Sequence, residues 1–168
     1  MQPQIISIPS KKLLGKKLRM SLLDDHTVEL WQFLMPRRKE ILNKLSSDLF
    51  SVHVFDENLY FKDLAPETEF EKWAAVEISE YTEVPEGMET LEIPAGLYAV
   101  FNYKGAANAA ASMFQYIFET WIPASDYEID CRPHFALMGE KYKGNDLDSE
   151  EEIWVPVKMK SGQSQYST

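Results

Sequence analysis

Glu152 and Trp154, near the end of the chain, form the pair of residues with the clearest chemistry. They alternate with Ile153, Val155 and Val157, so a β-strand here would place the carboxylate and the indole on one face. An indole ring attracts flat apolar groups and cations, and a nearby carboxylate adds attraction for positive charge. The pair predicts a site for a planar apolar or cationic molecule. The alternative is a solvated acid that only continues the acidic run before it.

Other candidate ligand contacts lie on other predicted strands. Trp73 and Glu77 oppose the apolar residues Val76 and Ile78 in a strand of the first half. The rest of the predicted site is aromatic and comprises Tyr98, Tyr103 and Phe135. Core packing is the alternative for these aromatic residues. A bulge at Gly96 would also turn Tyr98 to the other face.

The sequence offers no motif for a metal, a nucleotide or a nucleophile. His26, His53 and His134 are scattered and have no ligand spacing with Cys131, so we expect no metal and no cofactor. The single cysteine cannot form an internal disulfide, which is typical of an intracellular protein.

The composition limits the classes of binding partner that we expect. The 168 residues include 17 Lys and Arg against 27 Asp and Glu, a net charge of −10. Such a surface repels nucleic acid and anionic lipid, and the chain has neither a signal-peptide core nor a membrane-length apolar run. We therefore expect a soluble cytoplasmic protein without direct nucleic-acid or membrane binding. A local basic cluster is interpreted as a solvated strand edge, with an anionic partner as the alternative: Lys11, Lys12, Lys16, Lys17 and Arg19.

Apolar periodicity predicts a β-α-β-β order that occurs twice. In the first half the predicted strands are 4–9, 49–55 and 73–79, and the helix is 27–35, ended by Pro36; residues 18–23 extend or pair with the first strand. In the second half the predicted strands are 90–94, 97–103, 129–138 and 152–158, and the helix is 108–121. Val76-Glu77-Ile78 is matched with Val155-Pro156-Val157.

The repeat predicts one domain over residues 1–168 with two units, about 1–82 and 88–160. Two such units form an α+β fold, with an antiparallel sheet whose helices all lie on one face. A pseudo-two-fold axis would relate the units and leave a ligand groove between them. Each unit would then contribute a tryptophan and a carboxylate to that groove.

Three segments, residues 93–101, 121–125 and 151–157, resemble signatures of the gyrase-inhibitor-like (GyrI-like) family of small-molecule-binding domains. This family includes the effector-binding domains of AraC-type and MerR-type regulators. The resemblance implies a SOUL-like fold of two βαββ units and a multidrug-type groove, with Glu152 and Trp154 at matching positions. Many relatives carry a Glu directly after the Phe of the third strand, whereas here Ala136 follows Phe135. We expect no helix-turn-helix on this chain.

The resemblance implies a stand-alone effector-binding protein for hydrophobic, aromatic or cationic compounds, linked to transcription regulation or to drug or toxin response. One alternative is a hydrolase of electrophilic small molecules, with Glu152 as general acid or base and Tyr98 as proton donor. Another is an inhibitor of a DNA-binding enzyme such as gyrase. A protein partner and a homodimer remain open.

Overall fold

The computed structural model describes residues 2–56, 65–106 and 109–160. Within these ranges the strands are β1 (Gln4–Ile8), β2 (Lys11–Met20), β3 (Leu49–Val54), β4 (Phe70–Ile78), β5 (Glu89–Ile93), β6 (Gly96–Lys104), β7 (Tyr127–Ile129), β8 (His134–Met138) and β9 (Glu150–Met159). The first helical region is α1 (Thr27–Leu34), which continues as a 3-10 turn over Met35–Glu40. The second consists of α2 (Ala111–Tyr116), a π-helical turn over Ile117–Trp121, and α3 (Ile122–Ala124).

The main sheet is antiparallel and runs in the order β1-β6-β9-β8-β3-β4-β2-β5, with β7 paired to β9. Leu30 and Leu34 of α1 pack on one face of β4, which we call the outer face. Ile117 of the second helical region packs on the same face of β6 and β9. Both helical regions therefore cover the same face of the sheet. The prediction of an α+β fold with its helices on one face is confirmed.

The two predicted units occupy equivalent places in this order, but their first strands are exchanged. β1 of the first unit pairs with β6 of the second, and β5 of the second unit pairs with β2 of the first. β3 and β8 join the two units at the centre of the sheet. Sequence periodicity predicted the elements of each unit but not this exchange.

Residues 4–15 and 89–100 pair with each other as one ladder with a corner in the middle. Ile8 is aligned with Gly96 before the corner and Lys11 with Ile93 after it, so the register continues unchanged. Each segment has a proline at the corner, and a proline cannot donate a ladder hydrogen bond. Both segments therefore bend at the same place.

The corner closes the sheet on itself. β1 pairs at one end of the strand order, while β2, its direct continuation, pairs with β4 near the other end. Ile8 and Ile93, from opposite ends of that order, accordingly lie in one buried cluster. We call its side of the sheet the inner face. Its buried members are Ile8, Leu13, Phe50, Val52, Trp73, Ala75, Ile93, Tyr98, Val100, Phe135 and Trp154.

Gly15 lets β2 approach β4 closely. A Cβ atom at this position would overlap the carbonyl oxygen of Ala74 and lie 2.6 Å from the Cα of Ala75. Neither backbone atom can move aside without shifting β4, so any side chain at Gly15 would force the two strands apart.

Two local predictions were wrong, and one point that the sequence left open is decided. The Lys-rich segment, for which no element was predicted, is itself a strand, since β2 covers Lys11–Met20 without a break. Residues 129–138 are not one strand, because β7 ends at Ile129 and β8 begins at His134. Gly96 is aligned with Ile8 in regular register and forms no bulge, so Tyr98 stays on the inner face.

The second predicted helix is shifted along the chain. α2 begins at Ala111, and the helical region passes Trp121 and ends at Ala124, one residue after Pro123. The predicted start at residue 108 lies outside the described residues. In the part of the chain that the structure describes, no helix has the length and apolarity needed to cross a bilayer.

Candidate ligand-binding site

A row of four aligned residues crosses the inner face at the centre of the sheet. Trp73 of β4 is aligned with Val52 of β3, Val52 with Phe135 of β8, and Phe135 with Trp154 of β9. We call these four residues the tryptophan row. The alignment makes Trp73 and Trp154 equivalent in the two units, whereas the sequence repeat had matched Val76 with Val155. The row therefore contains three of the predicted site residues, Trp73, Phe135 and Trp154.

The second half of the row is an aromatic stack. The rings of Phe135 and Trp154 are 5.1 Å apart and inclined by 16°. Tyr98 packs on both, with its ring centre 5.3 Å from that of Phe135 and 5.9 Å from that of Trp154. Each of the three is less than a tenth exposed. These three rings are thus buried and do not line an open groove of the kind that was predicted. A ligand can reach them only if side chains move.

Both indoles of the row donate a hydrogen bond to the glutamate two residues before them. Trp154 Nε1 lies 3.3 Å from Glu152 Oε1, and Trp73 Nε1 lies 2.8 Å from Glu71 Oε1. The first pair was predicted from the sequence, whereas Glu77 was predicted as the acid of the first unit. The repeated Glu-x-Trp spacing, present at residues 71–73 and 152–154, is the signal that identifies Glu71.

Glu77 lies at the margin of the inner face and is paired elsewhere. Its carboxylate is 3.4 Å from Lys11 Nζ, and its aligned neighbour on β2 is Leu13. Glu77 therefore does not join the Glu–Trp pairs.

Tyr103 does not belong to the site. Its ring packs with the cluster beneath α2 on the outer face, and its hydroxyl donates to the carbonyl of Ala106 at 2.7 Å. The structure thus places Tyr103 on the face opposite the one on which the ligand site was predicted. Tyr98 and Tyr103 stand five positions apart in β6, and strand alternation sends residues at odd spacing to opposite faces.

Arg132 closes the inner face beside Tyr98. Its guanidinium lies over the Tyr98 ring at 4.8 Å, and its Nε donates to Asp130 at 2.9 Å. Its Nη2 donates to the carbonyls of Leu97 and Val157 at 2.6 and 3.0 Å. Nη1 is buried and has no hydrogen-bond partner among the described residues. This arginine was missed because its role depends on the turn between β7 and β8, which the sequence had extended as strand.

Tyr98 and Glu152 are not arranged as a proton donor and base. The Tyr98 hydroxyl donates to the carbonyl of Pro133 at 2.7 Å, and burial raises its pKa above the usual value for tyrosine. Tyr98 is aligned with Pro156, four residues along β9 from Glu152, which is about 13 Å at the usual strand rise. The pair proposed for a hydrolase is therefore separated along the sheet.

The outer face carries three aligned titratable residues, Lys72, His53 and His134, at the seam between the units. Burial lowers the pKa of both histidines to about 3 and also lowers the pKa of Lys72. Among the described residues, no group of three His, Cys, Asp or Glu side chains could hold a metal ion.

The basic cluster of the sequence is divided between the two faces of β2 and is largely neutralised. Lys11 pairs with Glu77, and Arg19 pairs with Glu69 at 3.1 Å and with Asp56 at 3.5 Å. On the outer face, Lys12 lies over the ring of Tyr81, and Lys16 over that of Phe33. The interpretation of a strand edge holds only for Lys16, Lys17 and Arg19, because β2 pairs with β5 at Lys11 and Lys12 and with β4 from Lys12 onward.

An apolar depression lies on α1, on the opposite side of the sheet from the tryptophan row. It is lined by Thr27, Val28, Trp31, Gln32, Met35 and Pro36. None of the predicted ligand contacts lines it, so it is separate from the inner-face site.

Comparison with known proteins agrees with this architecture. A family model described as the GyrI-like small molecule binding domain matches residues 1–158. The transcriptional regulator BrlR of Pseudomonas aeruginosa is 28% identical over 158 residues, which are 94% of this chain and 56% of BrlR. The chain thus spans a little more than half the length of that regulator.

Two solved structures share the fold. The structure of SAV2435 bound to tetraphenylphosphonium matches with a TM-score of 0.73 and 16% identity, over 99% of this chain and 98% of that one. The C-terminal domain of EcmrR matches with a TM-score of 0.69 and 14% identity, over 95% of this chain and 98% of that one.

Proposed function

The chain belongs to the family of GyrI-like small-molecule-binding domains, and from that premise we propose that it binds an aromatic or lipophilic cation on the inner face. Trp154 and Phe135 would stack on the ligand, and Glu152 would select for positive charge. The observation that carries the proposal is the hydrogen bond from Trp154 Nε1 to Glu152, which holds a carboxylate beside the stacked rings.

The charges around Trp154 and Glu152, in the second half of the tryptophan row, favour binding of a cation. Among the ion pairs formed between described residues, none involves Glu152, so no basic side chain of the described ranges cancels its charge. A cation held over an indole in a desolvated site gains about 2 kcal/mol from the ring alone. The carboxylate adds a direct charge interaction in the same place.

The proposed ligand class is supported by relatives as well as by the residues. SAV2435, which shares the fold, was solved with the lipophilic cation tetraphenylphosphonium, and BrlR is a transcriptional regulator. We therefore propose an effector-binding role connected with transcription regulation in the cytoplasm. The separation of Tyr98 from Glu152 gives no support to the hydrolase alternative.

Isothermal titration calorimetry with tetraphenylphosphonium and with the uncharged triphenylphosphine oxide tests the proposal. Wild-type protein should bind the cation more tightly than the neutral compound. Trp154→Phe should weaken both, because it removes stacking area and the indole donor. Glu152→Gln should weaken only the cation, by about tenfold, which corresponds to about 1.4 kcal/mol.

Glu128→Gln is the matched control, since Glu128 lies on β7 beside Lys158, away from the tryptophan row. This control should bind both compounds like wild type. Equal binding of the cation by wild type and Glu152→Gln would show that the carboxylate does not contact the ligand. No binding of either compound by wild type would overturn the proposed ligand class.

A further inference from the structure

The two halves of the tryptophan row have the same Glu–Trp pair but different neighbours on the adjoining strand. Lys17 of β2 is aligned with Trp73, whereas Val100 of β6 is aligned with Trp154. β2 and β6 occupy equivalent places in the strand order, so Lys17 and Val100 are equivalent positions of the two units. One half therefore contains a cation where the other contains an apolar side chain.

The lysine makes the contacts that a bound cation would make. Lys17 Nζ lies over the Trp73 ring, 5.7 Å from its centre, and 3.6 Å from Glu71 Oε2. It is also 3.6 Å from Glu89 Oε1 on β5, so two carboxylates neutralise it. Ring and carboxylate in the first half are thus already engaged with a positive charge from the same chain.

We infer that Lys17 is a tethered cation that occupies the Trp73–Glu71 half, so that the site accepts one ligand cation, at Trp154–Glu152. The inference rests on the proposed function and identifies the residue that decides where the cation binds. Lys17 is then a specificity-determining residue whose contribution is to exclude a second positive group.

A tethered amine has an advantage over a free ligand. Lys17 is attached within reach of Trp73, so its effective concentration at the ring is high and it loses no translational freedom on contact. A ligand cation would need to displace it and leave an ammonium group without its carboxylate partners. The equivalent position of the Trp154 half supplies no such competitor, because Val100 carries no charge.

The test moves the binding site from one half to the other. In titrations with tetraphenylphosphonium, Glu152→Gln should weaken binding about tenfold. Adding Lys17→Met frees the Trp73–Glu71 half, so the double variant should recover affinity to within about threefold of wild type. Adding Glu71→Gln to the double variant should remove the recovered binding. Methionine keeps most of the lysine stem, so packing changes little.

Lys16→Met is the matched control, because Lys16 is the preceding residue of β2 and lies over Phe33 on the outer face. In the Glu152→Gln background this control should restore nothing. A Lys17→Met double variant as weak as Glu152→Gln would overturn the inference while leaving the proposed function intact.

Failure of the proposed function gives a different result. If wild type binds no tetraphenylphosphonium but Lys17→Met does, the Trp154 site is wrong and the tethered cation is supported. If neither binds, both proposals are overturned. Circular dichroism and thermal unfolding of every variant establish that it is folded before binding is compared.

Discussion

Trp154 lies parallel to Phe135 across the β8–β9 pair, with ring centres 5.1 Å apart. The two rings are contributed by aligned residues, so the contact depends on the register of β8 and β9. Tyr98 and Phe50 pack against Phe135 from either side. Phe135 is therefore the centre of the inner-face cluster, and its removal should affect stability more than any peripheral substitution.

Phe135→Ala should lower the free energy of unfolding by about 3–5 kcal/mol, because it leaves a cavity that the closed sheet cannot fill. Urea denaturation followed by circular dichroism measures this loss. Leu42→Ala is the control, since Leu42 is 87% exposed, and its effect should stay within about 0.5 kcal/mol. Equal effects of the two substitutions would contradict the central place of Phe135.

Gly15→Ala should destabilise the fold by about 1–3 kcal/mol, the usual range for overpacking, because its new Cβ would meet backbone atoms of β4. Gly139→Ala is the control. There the nearest atom to an added Cβ is the Asp48 side chain at 3.3 Å, which can rotate away. The midpoints of thermal unfolding of wild type and Gly139→Ala should lie well above that of Gly15→Ala.

The two seam histidines should make the protein sensitive to acid. Burial lowers the pKa of His53 and His134 from 6.5 to about 3, so the folded chain keeps both rings neutral. The unfolded chain takes up these protons near pH 6.5, and the free energy of unfolding should therefore fall as pH drops from about 6.5 toward 3. His53→Phe should make this fall shallower, by up to about 1.4 kcal/mol per pH unit.

His26 is the control for that experiment and has the opposite sign. Hydrogen bonds to Glu29 and Asp24 raise the pKa of His26, so its contribution is present at low pH and is lost as pH rises through the raised value. His26→Gln should leave the acid-side fall of stability in place. Urea titrations at several pH values between 3 and 7 separate the two histidines, and an unchanged slope in His53→Phe would contradict the prediction.

Arg132→Lys should lower stability by about 3 kcal/mol, because hydrogen bonds to charged groups contribute about 1.5–3 kcal/mol each and an ammonium cannot reproduce the planar fork. The substitution leaves Asp130 and the face of Tyr98 without the guanidinium. Arg37→Lys is the control, since its ion pair with Glu40 is on the surface and contributes less than about 1 kcal/mol. Similar denaturation midpoints for both variants would show that Arg132 is replaceable.

Strand alternation was sufficient to place Trp73, Trp154 and Glu152 on the inner face, because a period of two is strict once a strand is identified. The same rule places Tyr103 on the opposite face from Tyr98, because the two are five residues apart in β6. The alternation rule was not applied to Tyr103, which is why it was included in the predicted site. Glu71 was missed because the predicted strand began at Trp73, whereas β4 begins at Phe70. Both errors were local: the first came from neglect of strand alternation and the second from a strand boundary.

The closed shape of the sheet could not be derived in this way. It depends on pairing between segments 4–15 and 89–100, whose register is fixed by contacts over long sequence separations. The prolines at residues 9 and 94 mark the two corners, but a proline alone does not tell which strand lies opposite. This closure buries the aromatic rings of the inner face. Because the closure could not be predicted, the sequence indicated an open groove instead.

The ladder between residues 4–15 and 89–100 also has a consequence for the order of folding. Gln4 finds its partner only at Val100, so β1 remains without its ladder until the chain has been synthesised past the middle. Pairings of such separation carry a large loop-closure entropy and place proteins among the slower folders, in milliseconds to seconds. β1 is thus among the last strands to be secured, and until then β6 of a second copy could pair with it to form a swapped dimer.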